Sequence, residues 1–174
     1  MNRFGIQPGD VLGGYRVIEE AGRGGMATVL KVEHLESEEV RALKILMSTS
    51  QDEESIARFD AEFKVLSRLT HPNITRVFES GTYDDRAYFV MELVQGHDLR
   101  KELEEWRSLP HQERFQKVES VLVQLVSALS YVHDRGLVHR DISPGNIMVG
   151  QDGSVKLMDF GVVKTPGAEL TAVG

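Results

Sequence analysis

The stretch HRDISPGNIM, His139 to Met148, decides the fold of this chain, and the other recognisable segments are arranged around it. It holds a carboxylate at Asp141 and an amide at Asn146, five residues apart. A proline and a glycine lie between the two, so we predict a loop rather than a helix there. A second acid, Asp159, follows thirteen residues after Asn146 and opens a D-F-G triplet among apolar neighbours.

An upstream lysine and glutamate are expected to meet in the fold. The run 40–46 is predicted to be a strand whose alternation puts Ala42 and Lys44 on one face. The segment 53–69 has helical period, and one stripe of it consists of Phe59, Glu62, Leu66 and Leu69. A carboxylate on a buried face needs a cation, so we predict that Glu62 pairs with Lys44. For Lys44 alone, a surface lysine whose stem packs along the sheet is the alternative.

A glycine-rich turn joins the first two predicted strands. Tyr15 begins the first strand, and the turn contains Gly22, Gly24 and Gly25, three glycines in four residues. Such a backbone can approach a ligand closely and point its N–H groups at phosphate oxygens. A flexible β-hairpin is the alternative interpretation. A dinucleotide-binding fold is disfavoured, because its glycine loop opens a helix and this one opens a strand.

The second half of the pattern is mostly helical. Strands are predicted at 74–78 and 86–93, followed by a short charged helix at 98–107 and a long helix at about 113–135. The buried stripe expected for the long helix is Val118, Leu122, Leu125, Leu129 and Val132. Gly136 is well placed to end that helix. Five strands with one helix, and then mostly helix, indicate an α+β fold rather than an alternating parallel sheet.

The order and spacing of these pieces resemble a eukaryotic-type protein kinase of the serine/threonine branch, which bacteria also encode. The resemblance runs from about Tyr15 to the last residue. It implies a two-lobed α+β fold with a complete N-lobe, made of a five-stranded antiparallel sheet and one helix, and only the first part of a helical C-lobe. The implied division is a leader over 1–14, the N-lobe over 15–94 and the partial C-lobe over 95–174.

The resemblance also implies catalytic and metal-binding roles. Asp141 would orient the substrate hydroxyl and accept its proton, while Lys44, fixed by Glu62, would hold the α- and β-phosphates of ATP. Arg140 is similar to the arginine that pairs with a phosphate on the activation loop. Asn146 and Asp159 would supply oxygen ligands to Mg²⁺, with Mn²⁺ as a substitute. His139 is expected to be structural and to pack near Phe160.

The implied nucleotide site is larger. Its expected residues are Gly22, Arg23, Gly24, Gly25, Val29, Ala42, Lys44, Met91, Glu92, Val94, Asp98 and Met148. Met91 would be the gatekeeper, Glu92 and Val94 would form the hinge beside the adenine, and Asp98 would contact the ribose. Val29, Ala42 and Met148 have the small or pliable apolar side chains that suit a purine sandwich.

Two departures from the family pattern bear on activity. Ser143 stands where serine/threonine kinases normally carry a lysine that neutralises the γ-phosphate, and Ala27 stands in place of the third loop glycine. We expect reduced or compensated activity from the first. The sequence also stops at Gly174, inside the expected activation segment, so we expect a truncated product or an excerpt of a longer protein.

The implied partners are ATP and a protein substrate with a Ser or Thr acceptor. Self-association or autophosphorylation is a further expectation, with Thr171, and secondarily Thr165, as the candidate phosphosite. The net charge is -7, with 27 Asp and Glu against 20 Lys and Arg, which argues against nucleic acid as a partner. There is no cysteine, no signal-peptide pattern and no apolar run long enough for a membrane segment, so we expect a cytoplasmic protein.

Two other classes of function remain as alternatives. A pseudokinase or nucleotide-binding scaffold is suggested by Ser143, Ala27 and the early stop. A kinase-like phosphotransferase acting on small molecules is the other alternative. The complete H-R-D-x-x-P-x-N loop that follows a strand-rich N-lobe favours protein substrates over it.

Overall fold

The computed structural model describes residues 5–25, 27–47 and 53–160. The first half of the chain forms strands β1 Val11–Leu12, β2 Tyr15–Arg23, β3 Ala27–His34, β4 Val40–Leu46, β5 Val77–Tyr83 and β6 Arg86–Glu92, with helix α1 Glu53–Leu66 between β4 and β5. The second half forms strand β7 Gly96–Asp98, helices α2 Leu99–Trp106 and α3 His111–His133, a 3₁₀ turn Pro144–Asn146, and strands β8 Ile147–Gly150 and β9 Val155–Leu157. The class is α+β, with a small sheet lobe followed by a mainly helical part.

The first lobe is built on a six-stranded sheet in the order β1-β2-β3-β4-β6-β5, and all its pairs are antiparallel. The sequence predicts five strands and a leader over 1–14, whereas the structure adds β1 from within that leader. Leu12 pairs with Tyr15 and is fully buried, and Ile6 is 4% exposed. A two-residue strand is too short to show alternation in the sequence. The segment is held in place by the burial of two isolated apolar side chains, Ile6 and Leu12.

The alternation of β4 separates two apolar clusters on the two faces of the sheet. Leu43 and Ile45 belong to one cluster, and Ala42 belongs to the other, which contains α1 and the second half of the chain. Lys44 shares the face of Ala42, as the period-2 pattern predicts. The lysine therefore points toward α1 and the helical part.

Helix α1 packs on this face through the predicted stripe. Phe59 and Leu66 are buried, and the Phe59 ring lies 4.8 Å from the ring of Phe89 on β6. Glu62 lies between them in the stripe, and 14% of its side chain is exposed. The same apolar contacts that hold the helix therefore hold a carboxylate close to the sheet.

Helix α3 packs on the core through four of the five residues of the predicted stripe. Val132 is buried, and Val118, Leu125 and Leu129 are partly buried against the same cluster. The fifth residue, Leu122, is 52% exposed, and Val121 and Ala128 are buried on this face instead. In a helix of 3.6 residues per turn, Leu122 points about 100° away from Val121. A face through 121, 128 and 132 fits the period as well as one through 122, and both positions carry apolar residues, so the pattern alone does not separate the two.

A three-stranded sheet, β7-β8-β9, lies at the base of the sheet lobe. The segment that enters β5 is joined to β9 by two backbone hydrogen bonds, from Thr75 N–H to Leu157 O at 3.0 Å and from Leu157 N–H to Asn73 O at 2.9 Å. This junction leads directly into Asp159. It therefore fixes the second acid of the sequence motif relative to the N-terminal sheet.

Candidate active site

The ammonium group of Lys44 joins the two halves of the structure. Its Nζ lies 2.7 Å from Glu62 Oε1 on α1 and 2.7 Å from Asp159 Oδ1 after β9. Of the lysine side chain, 13% is exposed. One cation from the sheet therefore lies between one acid from the helix and one from the D-F-G segment, 115 residues further along the chain.

Burial and charge act in opposite directions in this cluster. Burial lowers the pKa of Lys44, but the attraction of Glu62 and Asp159 outweighs it, so the net shift is upward and the lysine stays charged. Burial raises the pKa of Glu62 to about 7, and the Asp159 carboxylate adds to that rise while Lys44 opposes it. Two carboxylates share one ammonium, so the cluster has an excess of negative charge that a further cation could neutralise.

The catalytic-loop stretch is held by hydrogen bonds from Asn146. The Nδ2 group donates to Asp141 Oδ2 at 2.8 Å and to Asp141 O at 2.9 Å. The sequence predicts no helix between these residues, yet Pro144–Asn146 form a single 3₁₀ turn that begins after Ser143. Proline fits the first position of such a turn because its nitrogen needs no hydrogen-bond partner there. The turn brings the amide back to the carboxylate.

His139 connects this loop to the D-F-G segment. Its Nε2 donates to Met158 O at 2.8 Å, and its Nδ1 accepts the Asp141 N–H at 3.3 Å. The ring lies 4.4 Å from the ring of Phe160. Burial lowers the pKa of His139, and the Met158 carbonyl opposes this only in part, so the imidazole is neutral with the proton on Nε2. The histidine therefore holds the backbone at Asp141 and immediately before Asp159.

Two residues of this region have left-handed backbone conformations. The φ angle is +65° at Arg140 and +47° at Asp159. Such angles are uncommon for residues with a side chain and cost about 1–3 kcal/mol each where the surroundings impose them. Arg140 immediately precedes Asp141, and Asp159 is itself the acid of the D-F-G segment. The His139 contacts described above help to hold both in place.

The glycine-rich turn lies at the end of β2. Gly22 pairs with Val29 across the hairpin, Gly24 N–H donates to Ala27 O at 2.9 Å, and Arg23 forms an ion pair with Glu20 at 2.9 Å. A side chain at Gly22 or Gly25 would meet no atom within 4 Å. The turn itself therefore has space for a Cβ at these two positions.

The expected purine-lining residues lie on neighbouring elements. Ala42 on β4 is paired with Met91 on β6, and both are buried in the same apolar cluster as the partly buried Val29. Met148 on β8 is partly buried and is paired with Asp98. Val29 is also paired with Lys44 across β3 and β4, so Val29, Ala42 and Met91 lie on the strand of the lysine and its two neighbours.

The hinge residues differ in how much of their hydrogen-bonding capacity is already used. Glu92 accepts both Lys156 Nζ, at 2.8 Å to each oxygen, and the Arg76 N–H at 2.7 Å. Its own N–H donates to Arg76 O at 2.9 Å. Val94 follows β6 and is partly buried. Glu92 therefore acts structurally through its side chain and its N–H.

Asp98 caps helix α2. Its Oδ1 accepts the Lys101 N–H at 3.1 Å and its Oδ2 accepts Arg100 Nη2 at 2.7 Å. The hydrogen bond from Arg100 lowers the pKa of Asp98. The predicted ribose contact would thus have to share a carboxylate that already binds two donors.

Some of the sequence predictions lie outside the described residues. These are the activation segment from Gly161 onward and the candidate phosphosites Thr165 and Thr171.

One supporting residue was not found from the sequence. Gln124 on α3 accepts from Asn73 Nδ2 and from the Val155 N–H, both at 2.9 Å, and donates to Gly153 O at 3.0 Å. It thereby ties α3 to the segment before β5 and to β9, which carries Asp159. In the sequence, the only indication of this role is that Gln124 is a glutamine among apolar residues on a predicted helix.

Comparison with known families identifies the class. Residues 15–171 match the family model described as "Protein kinase domain". The chain therefore belongs to the protein kinase family.

Individual relatives are mostly bacterial serine/threonine kinases. The chain is 41% identical to "Serine/threonine-protein kinase pkn3" of Myxococcus xanthus over 92% of its own length and 30% of that protein. It is 36% identical to "Serine/threonine-protein kinase PrkC" of Bacillus subtilis over 87% of its length and 23% of that protein. The chain thus spans less than a third of the length of these relatives.

Solved structures agree on the fold. The Mycobacterium tuberculosis PknI kinase domain is 31% identical, with a TM-score of 0.73 over 92% of this chain and 65% of the other. The "PpkA-294 apo form" has a TM-score of 0.79 at 24% identity and shares the fold. Among residues 5–25, 27–47 and 53–160, no helix is long and apolar enough to cross a bilayer.

Proposed function

We propose that this chain carries the nucleotide-binding and catalytic-loop part of an ATP-dependent serine/threonine protein kinase. The observation that supports this most is the contact of Lys44 Nζ with both Glu62 and Asp159 at 2.7 Å. It brings the lysine of the sheet to the acid that would hold a metal. A chance arrangement of motifs would not require these side chains to meet.

The donor set fits Mg²⁺, or Mn²⁺ in its place. Asp159 offers a carboxylate with 38% of its side chain exposed, and Asn146 offers an amide oxygen, because its nitrogen is turned toward Asp141. Both are hard oxygen ligands. The bound ion would neutralise negative charge on the phosphates. Because two acids are paired with one ammonium, the cluster has excess negative charge that would attract such a cation.

The proposed reaction moves the γ-phosphoryl group of ATP to a Ser or Thr hydroxyl of a protein substrate. The hydroxyl oxygen forms a bond to the γ-phosphorus, the bond from that phosphorus to the β,γ-bridging oxygen breaks, and ADP leaves. The hydroxyl proton passes to the Asp141 carboxylate, which Asn146 orients at 2.8 Å. Lys44 would hold the α- and β-phosphates while Glu62 fixes its ammonium group.

The nucleotide base would lie among Val29, Ala42, Met91 and Met148. Gly22, Gly24 and Gly25 would let the backbone of the turn come close to the phosphates, which supplies a reason for glycine at Gly22 and Gly25, where the turn itself has room for a Cβ. For the hinge, we propose that Val94 supplies hydrogen bonds to the adenine, since the Glu92 N–H is already used. Arg23 and Asp98 would stand at the rim.

Regulation and location are part of the same proposal. Arg140 would pair with a phosphate on Thr171 after autophosphorylation, which would need two copies of the protein to associate, if only transiently. Because ATP is a cytoplasmic substrate, we propose that this domain works in the cytoplasm.

The test is a transfer assay on the complete reading frame that encodes this chain. With Mg·ATP, the wild-type protein should place phosphate on Ser or Thr, and Asp141→Asn should reduce the rate by at least about a hundredfold. The matched control is Asp134→Asn, an exposed acid at the end of α3. Labelling by Asp141→Asn at the wild-type rate would contradict the assigned base.

A binding scaffold is the second candidate, and Ser143 is the observation that favours it. This residue begins the 3₁₀ turn of the loop and brings no positive charge to it. A scaffold should gain thermal stability from ATP without transferring phosphate to protein or to small alcohols. Restoring a lysine by Ser143→Lys should then start transfer, whereas in an active kinase it should change the rate only modestly.

A further inference from the structure

An exposed arginine lies against the catalytic loop, and the chemistry proposed above does not use it. Arg100 is the second residue of α2, and 69% of its side chain is exposed. A Cβ added to Gly145 would lie only 3.0 Å from Arg100 Cζ and 3.2 Å from its Nε and Nη2. The guanidinium therefore lies directly on the backbone of Gly145, where any side chain would displace it.

The orientation of this guanidinium is fixed by its own helix. Nη2 donates to Asp98 Oδ2 at 2.7 Å, while Oδ1 of the same carboxylate caps the helix at the Lys101 N–H. Arginine has five N–H donors in a planar fork, and this ion pair occupies one edge of it. The high exposure of the side chain leaves the guanidinium accessible to a second anion.

The position of Gly145 places this charge beside the acceptor. Gly145 immediately precedes Asn146, whose amide contacts the Asp141 carboxylate at 2.8 Å. Consecutive Cα atoms are about 3.8 Å apart, so the path from the guanidinium through Gly145 and Asn146 to the proposed base is at most about 15 Å long. An extended peptide advances about 3.3 Å per residue, so this distance corresponds to at most about four residues from the acceptor hydroxyl.

We propose that Arg100 is a specificity-determining residue that selects protein substrates with an acidic side chain within about four residues of the acceptor Ser or Thr. The inference rests on the proposed kinase function and adds the substrate class to it. A carboxylate would form a charge-assisted hydrogen bond with the guanidinium. The chain as a whole has a net charge of -7, which repels acidic peptides, so a local cation at the acceptor is needed to bind them.

The test compares peptide substrates on the complete reading frame. Ser and Thr peptides that carry Asp, Ala or Lys at each flanking position would be assayed for kcat/KM. Wild-type protein should prefer Asp over Ala by about two- to fivefold, a size set by the modest strength of exposed ion pairs, with the gain mainly in KM. Arg100→Glu should reverse the preference toward Lys, and Arg100→Ala should abolish it.

Lys101→Glu is the matched control. It makes the same change of charge in the same helical turn, but Lys101 Nζ lies 2.7 Å from His97 Nε2 and does not pack on Gly145. It should leave the acidic preference intact. An unchanged preference in Arg100→Glu, or an equal change in both variants, would overturn the inference.

The two levels of the proposal fail differently. Labelling of peptides by the wild-type protein with no preference for acidic residues would overturn the role of Arg100 alone. Absence of labelling on every peptide and protein acceptor would overturn the proposed function and this inference with it.

Discussion

Replacing Glu62 by glutamine tests the electrostatics of the cluster that joins the two halves of the site. Burial raises the pKa of Glu62 to about 7, from an ordinary value of 4.5. A group whose pKa is raised in the folded state contributes stability that is fully present below its unfolded pKa. That stability is lost as the pH rises through the folded pKa. Glutamine resembles the protonated carboxyl and does not titrate.

The size of the effect follows from the shift. One pKa unit is worth about 1.4 kcal/mol, and most of the titration of Glu62 falls between pH 5 and 8. We therefore expect the free energy of unfolding of the wild-type protein to fall by about 2–3 kcal/mol relative to Glu62→Gln over this range. Denaturant titrations at several pH values measure both proteins.

Glu54→Gln is the matched control for this experiment. Glu54 lies on the same helix, is 77% exposed on its side chain and pairs with Arg58. Because this carboxylate is exposed and does not contact Lys44, its replacement should leave the fall in stability that Glu62 produces unchanged. If the wild-type protein gained stability relative to Glu62→Gln as the pH rose, attraction to Lys44 would dominate over burial, and the account of the cluster would be wrong.

Three further changes test the supporting structure. Because burial lowers the pKa of His139, the wild-type protein should lose stability relative to His139→Gln as the pH falls from 7 to 5; parallel unfolding curves would contradict a neutral imidazole. Gln124→Ala should cost about 2 kcal/mol by breaking three hydrogen bonds, while Gln116→Ala, at an exposed position of the same helix, should be nearly neutral, and equal losses would rule out a supporting role for Gln124. Val121→Ala should cost about 2 kcal/mol and Leu122→Ser less than about 0.5 kcal/mol in urea unfolding, and the reverse order would mean that Leu122 rather than Val121 faces the core.

Much of the fold could be predicted from period and spacing. The alternation in β4 and the helical stripe of α1 are long enough to determine which faces are buried, so Lys44 and Glu62 could be expected to meet. The end of α3 near Gly136 was also predictable, because helices often end at a glycine in the left-handed conformation. Gly136 has this conformation, with a φ of +69°. These features depend on local pattern alone.

Other features depend on contacts between distant segments. Strand β1 exists because Leu12 is buried by the rest of the sheet. The burial of Val121 rather than Leu122 on α3 depends on the contact of this helix with β9. The Lys156–Glu92 ion pair joins residues 64 positions apart, and each is an ordinary charged residue in the sequence. Arg100 could not be singled out either, since only the fold shows that Gly145 lies under it.

The most direct test of the account is calorimetric binding of Mg²⁺ with a non-hydrolysable ATP analogue to the wild-type protein and to Asp159→Asn. We expect the wild-type protein to bind the analogue more tightly when Mg²⁺ is present, and Asp159→Asn to lose this metal-dependent gain while retaining metal-free binding. Equal metal-dependent binding by both proteins, or no binding by the wild-type protein, would contradict a nucleotide site between Lys44 and Asp159.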